Sequence, residues 1–183
     1  MNRKALETLE YHKILDQLAD HCHFSVARER ALELHPSTDQ EEIDRLQEET
    51  EEAVRLLSLH PGVGIGGARD LRPIVEDALR GILLEPGHLT RVKYTLIAAR
   101  DLRRFMDDTG DTYPRLGGMS SHLPASLGLV DAISKAISDE GEILDSASDD
   151  LARIRRELRV QHDRLRDRMS SMVNSSRISK YLQ

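Results

Sequence analysis

The stretch SDDLARIRRELRVQHDRLRDRMSSM, which opens at Ser148, limits this chain more than any other. Read as one helix to about Arg177 it has some thirty residues. At 1.5 Å per residue that is ~45 Å, against a mean helix of about 11 to 12 residues and a small-domain diameter near ~30 Å. Part of the helix is therefore expected to protrude. Leu151, Leu158, Leu165 and Met172 keep an unbroken seven-residue spacing, while the companion positions decay from Ile154 to Gln161, Arg168 and Ser175. A seam of this kind supports contact with one partner helix and no independent core. The partner is expected from another copy of the chain or from sequence after SKYLQ.

Charge changes sign at the same place. Residues 151 to 183 carry a net +6, which leaves −12 on the first 150. An acidic body repels nucleic-acid phosphates and a basic rod attracts them. The body must fill its core with aliphatic side chains, because four Tyr, two Phe and no Trp are all the aromatics there are. Leu, Ala, Glu and Arg in such abundance favour helix. An all-α protein is expected: a helical core or lever domain over 1–146, then an outgoing helix over 147–183. The single cysteine, Cys22, excludes an internal disulfide. The amphipathic start MNRKALETLEYHKIL has no signal core, and no apolar run approaches the ~18 residues of a membrane span. The chain reads as soluble and cytoplasmic, with no membrane partner.

Periodicity predicts one helix from about Lys4 to His21 with Leu6, Leu9, Ile14, Leu15 and Leu18 on one face, and a shorter one capped by Ser25 and stopped by Pro36. Thr38 and Glu41 have capping-box spacing ahead of the stripe Ile43, Leu46, Thr50, Ala53, Val54, Leu57. PIVEDALRG predicts a short helix closed by Gly81. Pro86 opens a long one with Leu89, Val92, Leu96, Ala99, Leu102, Phe105 and Met106 inside. Residues 107 to 126 read as a loop, LGLVDAISKAI as a short helix, and Ser146 or Ser148 as the cap of the last helix.

Motifs for chemistry are tested and mostly fail. Gly62, Gly64 and Gly67 of GVGIGG spell a dinucleotide fingerprint, but they follow a helical segment and a proline rather than a strand. As a phosphate loop the stretch puts Ala68 and Arg69 where Lys and Ser/Thr are needed, so it reads as a flexible turn needing positive φ. HCH at 21 to 23 offers three metal ligands that cannot converge, and reads as a helix end with a buried thiol. The other histidines are scattered, no catalytic residue can be named, and no cofactor or metal site is expected.

Taken in order, ALETLEYHKILDQLA, ALELHPSTDQEEIDRLQEETEEA, GGARDLRPIVEDA, DSASDDLARIRRELR and YLQ resemble the start of the bacterial MutS-related family of the second type. One departure is Asp149, where such proteins often have a proline after the capping serine. The resemblance implies an N-terminal piece of a longer protein, covering a lever region and the outgoing arm of a clamp. It further implies a returning clamp helix, an ATPase domain that binds ATP and magnesium and dimerises, and a C-terminal nuclease domain. Such proteins suppress homologous recombination on branched DNA and split stalled or collided ribosomes, which makes DNA and ribosomal RNA the expected partners. On that reading this chain is not itself an enzyme, and Arg153, Arg155, Arg156, Arg159, Arg164, Arg166 and Arg168 would meet phosphate backbone. With no interleaved aromatics, binding should be sequence-independent and salt-sensitive. The alternative is a structural helical dimerisation module whose arginines form a solvated face.

Overall fold

The computed structural model describes residues 3–64, 66–109, 111–125 and 128–173. Among these are nine α-helices and no strand, so the fold is all-α. None of the described helices is long and apolar enough to cross a membrane. Expectations that rest on Ser175, Arg177 and the closing YLQ fall outside the described residues. The chain divides into two compact units, Met1–Asp131 and Ala132–Gln183.

In the first unit the expected opening helix is two helices, α1 (Arg3–Thr8) and α2 (Tyr11–Asp20). The Thr8 hydroxyl donates to Lys4 O, Glu10 N donates to Glu7 O, and Glu10 turns left-handed at φ 52°. That conformation costs a non-glycine residue about 1 kcal/mol. It re-aims the chain so that the Tyr11 hydroxyl reaches Leu34 O and α2 packs on α3 (Ser25–Leu32). The buried residues of this pair are the small ones, Ala19 and Ala31, whereas Leu9, Ile14 and Leu18 of the expected face are exposed, as are Leu32 and Leu34. Ser25 is not the cap of α3, since Phe24 holds that position. The Ser25 hydroxyl donates instead to Asp70.

Asp70 also accepts from Arg72 N ahead of α5 (Arg72–Leu79), and the Arg72 guanidinium joins Asp70 to Glu29 of α3 at 2.7 to 2.8 Å. These guanidinium bonds hold the Asp70 carboxyl far below the usual carboxylate range, with the backbone bond from Arg72 acting in the same direction. Helix α5 closes at Gly81 as expected.

The acidic helix α4 (Gln40–Leu59) is capped by Asp39, one residue beyond the expected Thr38, through Glu41 N and Glu42 N. Its buried residues are Glu52 and Leu56, while Leu46, Val54 and Leu57 of the predicted stripe are exposed. The reason lies in the segment expected to be a loop. Pro114 opens a further helix there, α7 (Pro114–Ser120), packed against α4 and α6 (Pro86–Thr109). The Glu52 carboxylate accepts from Arg115 N at 3.2 Å and Leu116 N at 3.0 Å, so α4 caps α7 from outside it. Just before the cap, Tyr113 is 1% exposed and forms the core with Leu56 and Met106, lined by Val63, Leu102, Phe105 and Leu116. The interior residues expected in α6, from Leu89 to Met106, are all buried or half-buried.

In the second unit, the end of α8 (Gly128–Ala136) leads into a tight reversal. Ile137 pairs with Ile143, Gly141 takes φ 84° as only glycine does without strain, and Leu144 N donates to Ala136 O. A 3₁₀ turn at Asp145–Ala147 follows, then α9 (Asp149–Val173). The reversal lies in the same compact unit as the last helix.

Candidate nucleic-acid interface

The start of α9 is defined by three polar residues. The Ser148 hydroxyl accepts from Leu151 N at 3.0 Å, which makes Ser148 the cap, and Asp149 and Asp150 sit in the first turn where the helix dipole favours acids. Ser146 has a different task and donates to Lys135 O at 2.6 Å, fastening the 3₁₀ turn to the end of α8.

The seven predicted arginines fall into two groups. Arg153 pairs along its own helix with Asp150 and Glu157, each at 3.2 Å. Arg155 donates to Ile143 O at 2.9 Å and to Asp145 at 2.7 Å, and Arg159 reaches the other oxygen of the same carboxylate at 3.1 Å. Asp145 thus clips the first three turns of α9 to the reversal before them. Its carboxyl is held below the ordinary value, chiefly by the hydrogen bond from Arg155 and further by the charges of Arg155 and Arg159. In contrast, no ion pair or hydrogen bond within the described residues engages Arg156, Arg164, Arg166 or Arg168, and all four are exposed.

A guanidinium already bound bidentately or paired must give up its partner to take a phosphate, whereas an unpaired one gives up only water. The unpaired four span twelve residues, or ~18 Å of helix axis. At ~100° per residue they point in several directions around the rod. The sequence reading missed Asp145. Its signal is faint: an acid ten and fourteen residues ahead of Arg155 and Arg159, which are spaced four apart and share one helix face.

The remaining candidates take structural places. The loop after α4 does not suit a nucleotide: it follows a helix, Arg69 N donates to Thr95 Oγ1, and the Arg69 guanidinium turns back to Ala68 O. None of Gly62, Gly64, Gly66 and Gly67 takes the positive φ expected of them. Gly67 serves close approach instead, since a Cβ there would lie 3.2 Å from Ala98 Cβ of α6. Cys22 is half-buried after the end of α2 with its thiol 3.6 Å from Leu18 O, while His21 and His23 are exposed. Among the described residues no group of three or more His, Cys, Asp or Glu could hold a metal ion.

Over all of its residues the chain is similar to proteins named Endonuclease MutS2. It is 37% identical to that of Bacillus mycoides, 39% to that of Pelotomaculum thermopropionicum and 35% to that of Bacillus cereus. It spans about a quarter of the length of these relatives, 23 to 24%. No family model matches the chain.

Proposed function

Because this chain belongs to the MutS2 family and aligns with the N-terminal part of its members, we propose that α9 is the outgoing arm of a nucleic-acid clamp and the acidic first unit its lever. The division of the α9 arginines carries the reading. Arg155 and Arg159 build the base of the arm through Asp145, and Arg156, Arg164, Arg166 and Arg168 are left to meet phosphates. Contact by Arg without aromatic neighbours is electrostatic and indifferent to sequence. Bound nucleic acid would be held by its backbone, while the net −7 on residues 1 to 131 keeps it off the lever.

The rest of such a protein supplies the returning clamp helix and an ATPase domain that binds ATP and magnesium, dimerises and drives the lever. The cleavage that the relatives' name, Endonuclease MutS2, implies would belong to a nuclease domain outside residues 1 to 183. On this reading the whole protein acts on branched DNA to suppress homologous recombination and on stalled or collided ribosomes to split them. The chain itself grips and does not turn over substrate. Steady hydrolysis of ATP or DNA by residues 1 to 183 would overturn that part.

The decisive measurement is anisotropy of a labelled four-way DNA junction, and of an RNA hairpin, titrated with residues 1 to 183 at several salt concentrations. Four phosphate contacts give a log–log slope near −3.6, so raising salt from 50 to 200 mM should weaken binding about a hundredfold. The variant R156E/R164E/R166E/R168E should lose both the affinity and the slope. An unchanged slope would remove α9 from the interface.

A further inference from the structure

Glu48, Glu52, Leu56 and His60 recur at every fourth position of the same side of α4, and each meets a partner from α6 or from the segment of α7. The first two make polar contacts with α7. Glu48 holds the Arg115 side chain, and Glu52 holds the backbone N–H groups of Arg115 and Leu116. The last two meet the end of α6: Leu56 clusters with Met106 and Tyr113, and the His60 ring meets Phe105 edge to face with centroids 5.1 Å apart. Val63, just past the end of α4, packs on the same core. A cleft of about 630 Å³ lies beside the polar end, lined by Glu51, Arg55 and Thr112 together with the two glutamates and Arg115. Water thus reaches the polar end of the joint, while the other end is closed over Tyr113 and Met106.

The element between these ends is weak by itself. Helix α7 has seven residues, fewer than the ~12 to 15 that make even a good isolated helix marginal, and its first turn has no cap from its own chain. Gly118 weakens it further without a steric reason, since a Cβ there would meet nothing within 4 Å and its φ is not positive. In contrast, α4 and α6 have 20 and 24 residues, and α4 carries its own cap in Asp39.

We propose that α7 is a latch. It unwinds and re-forms as a unit, releasing Glu48 and Glu52, while Leu56, His60, Met106 and Phe105 stay together as a pivot. Helix α4 then swings on its C-terminal end without unfolding, and Tyr113, which precedes α7, remains in the pivot. The contacts are divided as such a device requires. The carboxylate and N–H groups that part at the latch are taken up by water from the cleft, whereas parting the pivot would expose the apolar core. The motion does not depend on what α9 binds.

The test uses residues 1 to 183. In the unmodified chain the amides of Gly117 and Ser121, bonded to Tyr113 O and Gly117 O, should be about tenfold or more less protected from hydrogen exchange than that of His60, bonded to Leu56 O at the pivot. Gly118→Ala should raise α7 protection about fivefold, the gain in helix propensity over glycine, and leave His60 unchanged. The swing is read by pulsed electron paramagnetic resonance, with spin labels at Asp44→Cys of α4 and Arg104→Cys of α6 in a Cys22→Ser chain. Glu52→Ala should add a second, longer distance while helicity by circular dichroism falls by no more than the seven residues of α7. Adding Gly118→Ala should shrink that second population about fivefold. Equal protection at α7 and His60 would overturn the proposal, because the joint would then open only as a whole. So would a single distance in Glu52→Ala with α7 unprotected, which would show α4 held without the latch. Loss of helicity throughout the Glu52→Ala chain would overturn it as well, since no pivot would outlast the latch.

Discussion

The two most charged helices, α4 and α9, treat their charges and their apolar residues in opposite ways. In α4 an acid is drawn inward: Glu52 is 8% exposed and caps α7, while Glu48, itself exposed, holds the Arg115 side chain at 2.6 Å. Its apolar Val54 and Leu57 remain outside. In α9 no described residue is buried, most of the seam faces solvent, and four of the seven arginines have no ion pair or hydrogen bond within the described residues. The first helix is defined by what it touches within its unit, the second by what it has yet to touch. Burial in this protein follows the available partner more than the hydrophobic period.

The contrast breaks most readily at the core. Tyr113→Ala removes the most buried large side chain, beside Leu56 and Met106, and should cost about 3 to 5 kcal/mol in urea denaturation. Leu165→Ala, at an apolar position of the exposed seam, should cost under ~0.5 kcal/mol at concentrations where the chain is monomeric. A large loss for Leu165 in the monomer would mean that the seam is covered within the chain. Next in size is Glu52→Ala, which strands the backbone N–H groups of Arg115 and Leu116. About 1 to 3 kcal/mol is expected, with hydrogen-exchange protection lost first in α7. Retained protection there would show that the helix needs no cap from α4.

Glu52 also shows why part of the fold could not be read from the chain. Long periodic segments were legible: α6 lies where Pro86 and its apolar spacing place it, and α9 starts at one of two named serines. Helix α7 was not. PRLGGMS is short, carries two glycines and contains no capping side chain, so its local propensity is poor. It is made stable by a carboxylate more than sixty residues away and by Tyr113 beside it. The break at Glu10 is of the same kind, since a left-handed glutamate has no local motive and gains one only when Tyr11 meets Leu34. At the candidate interface the seven arginines were legible as a basic set. Their division into bound and unbound was not, because it depends on where the reversal at Gly141 delivers Asp145.

That division gives a finer test. Asp145→Asn leaves the side chain's shape but releases much of its hold on Arg155 and Arg159. If the freed guanidiniums then engage phosphate, the salt slope of junction binding should steepen by up to ~1.8, the increment for two more contacts. The base of α9 should fray at the same time. A slope unchanged alongside measurable fraying would mean that these two arginines only hold the arm in place and the interface lies farther along the helix.

The smallest effect compares the two arginine clips by acidification. Asp70 and Asp145 both have carboxyls lowered from their ordinary values, by hydrogen bonds from Arg72 and Arg155 respectively. A carboxyl depressed in the folded state adds stability that is fully present above its unfolded pKa near ~3.9 and is lost as pH falls through the folded value. Asp70→Asn should therefore lower the melting temperature by a constant, salt-sensitive amount between pH 7 and 5, and the gap to the unmodified chain should close progressively below pH 4. Surface exposure of Arg72 and Glu29 keeps the gap small, because solvent screens both ends of the bridge. Asp145→Asn should follow the same pH course, read in helicity rather than in the cooperative melt, since the clip it breaks secures the start of a helix with no buried residue among those described. If Asp145→Asn instead shifted the cooperative transition as Tyr113→Ala does, α9 would be part of a core, and the difference between the two helices would vanish.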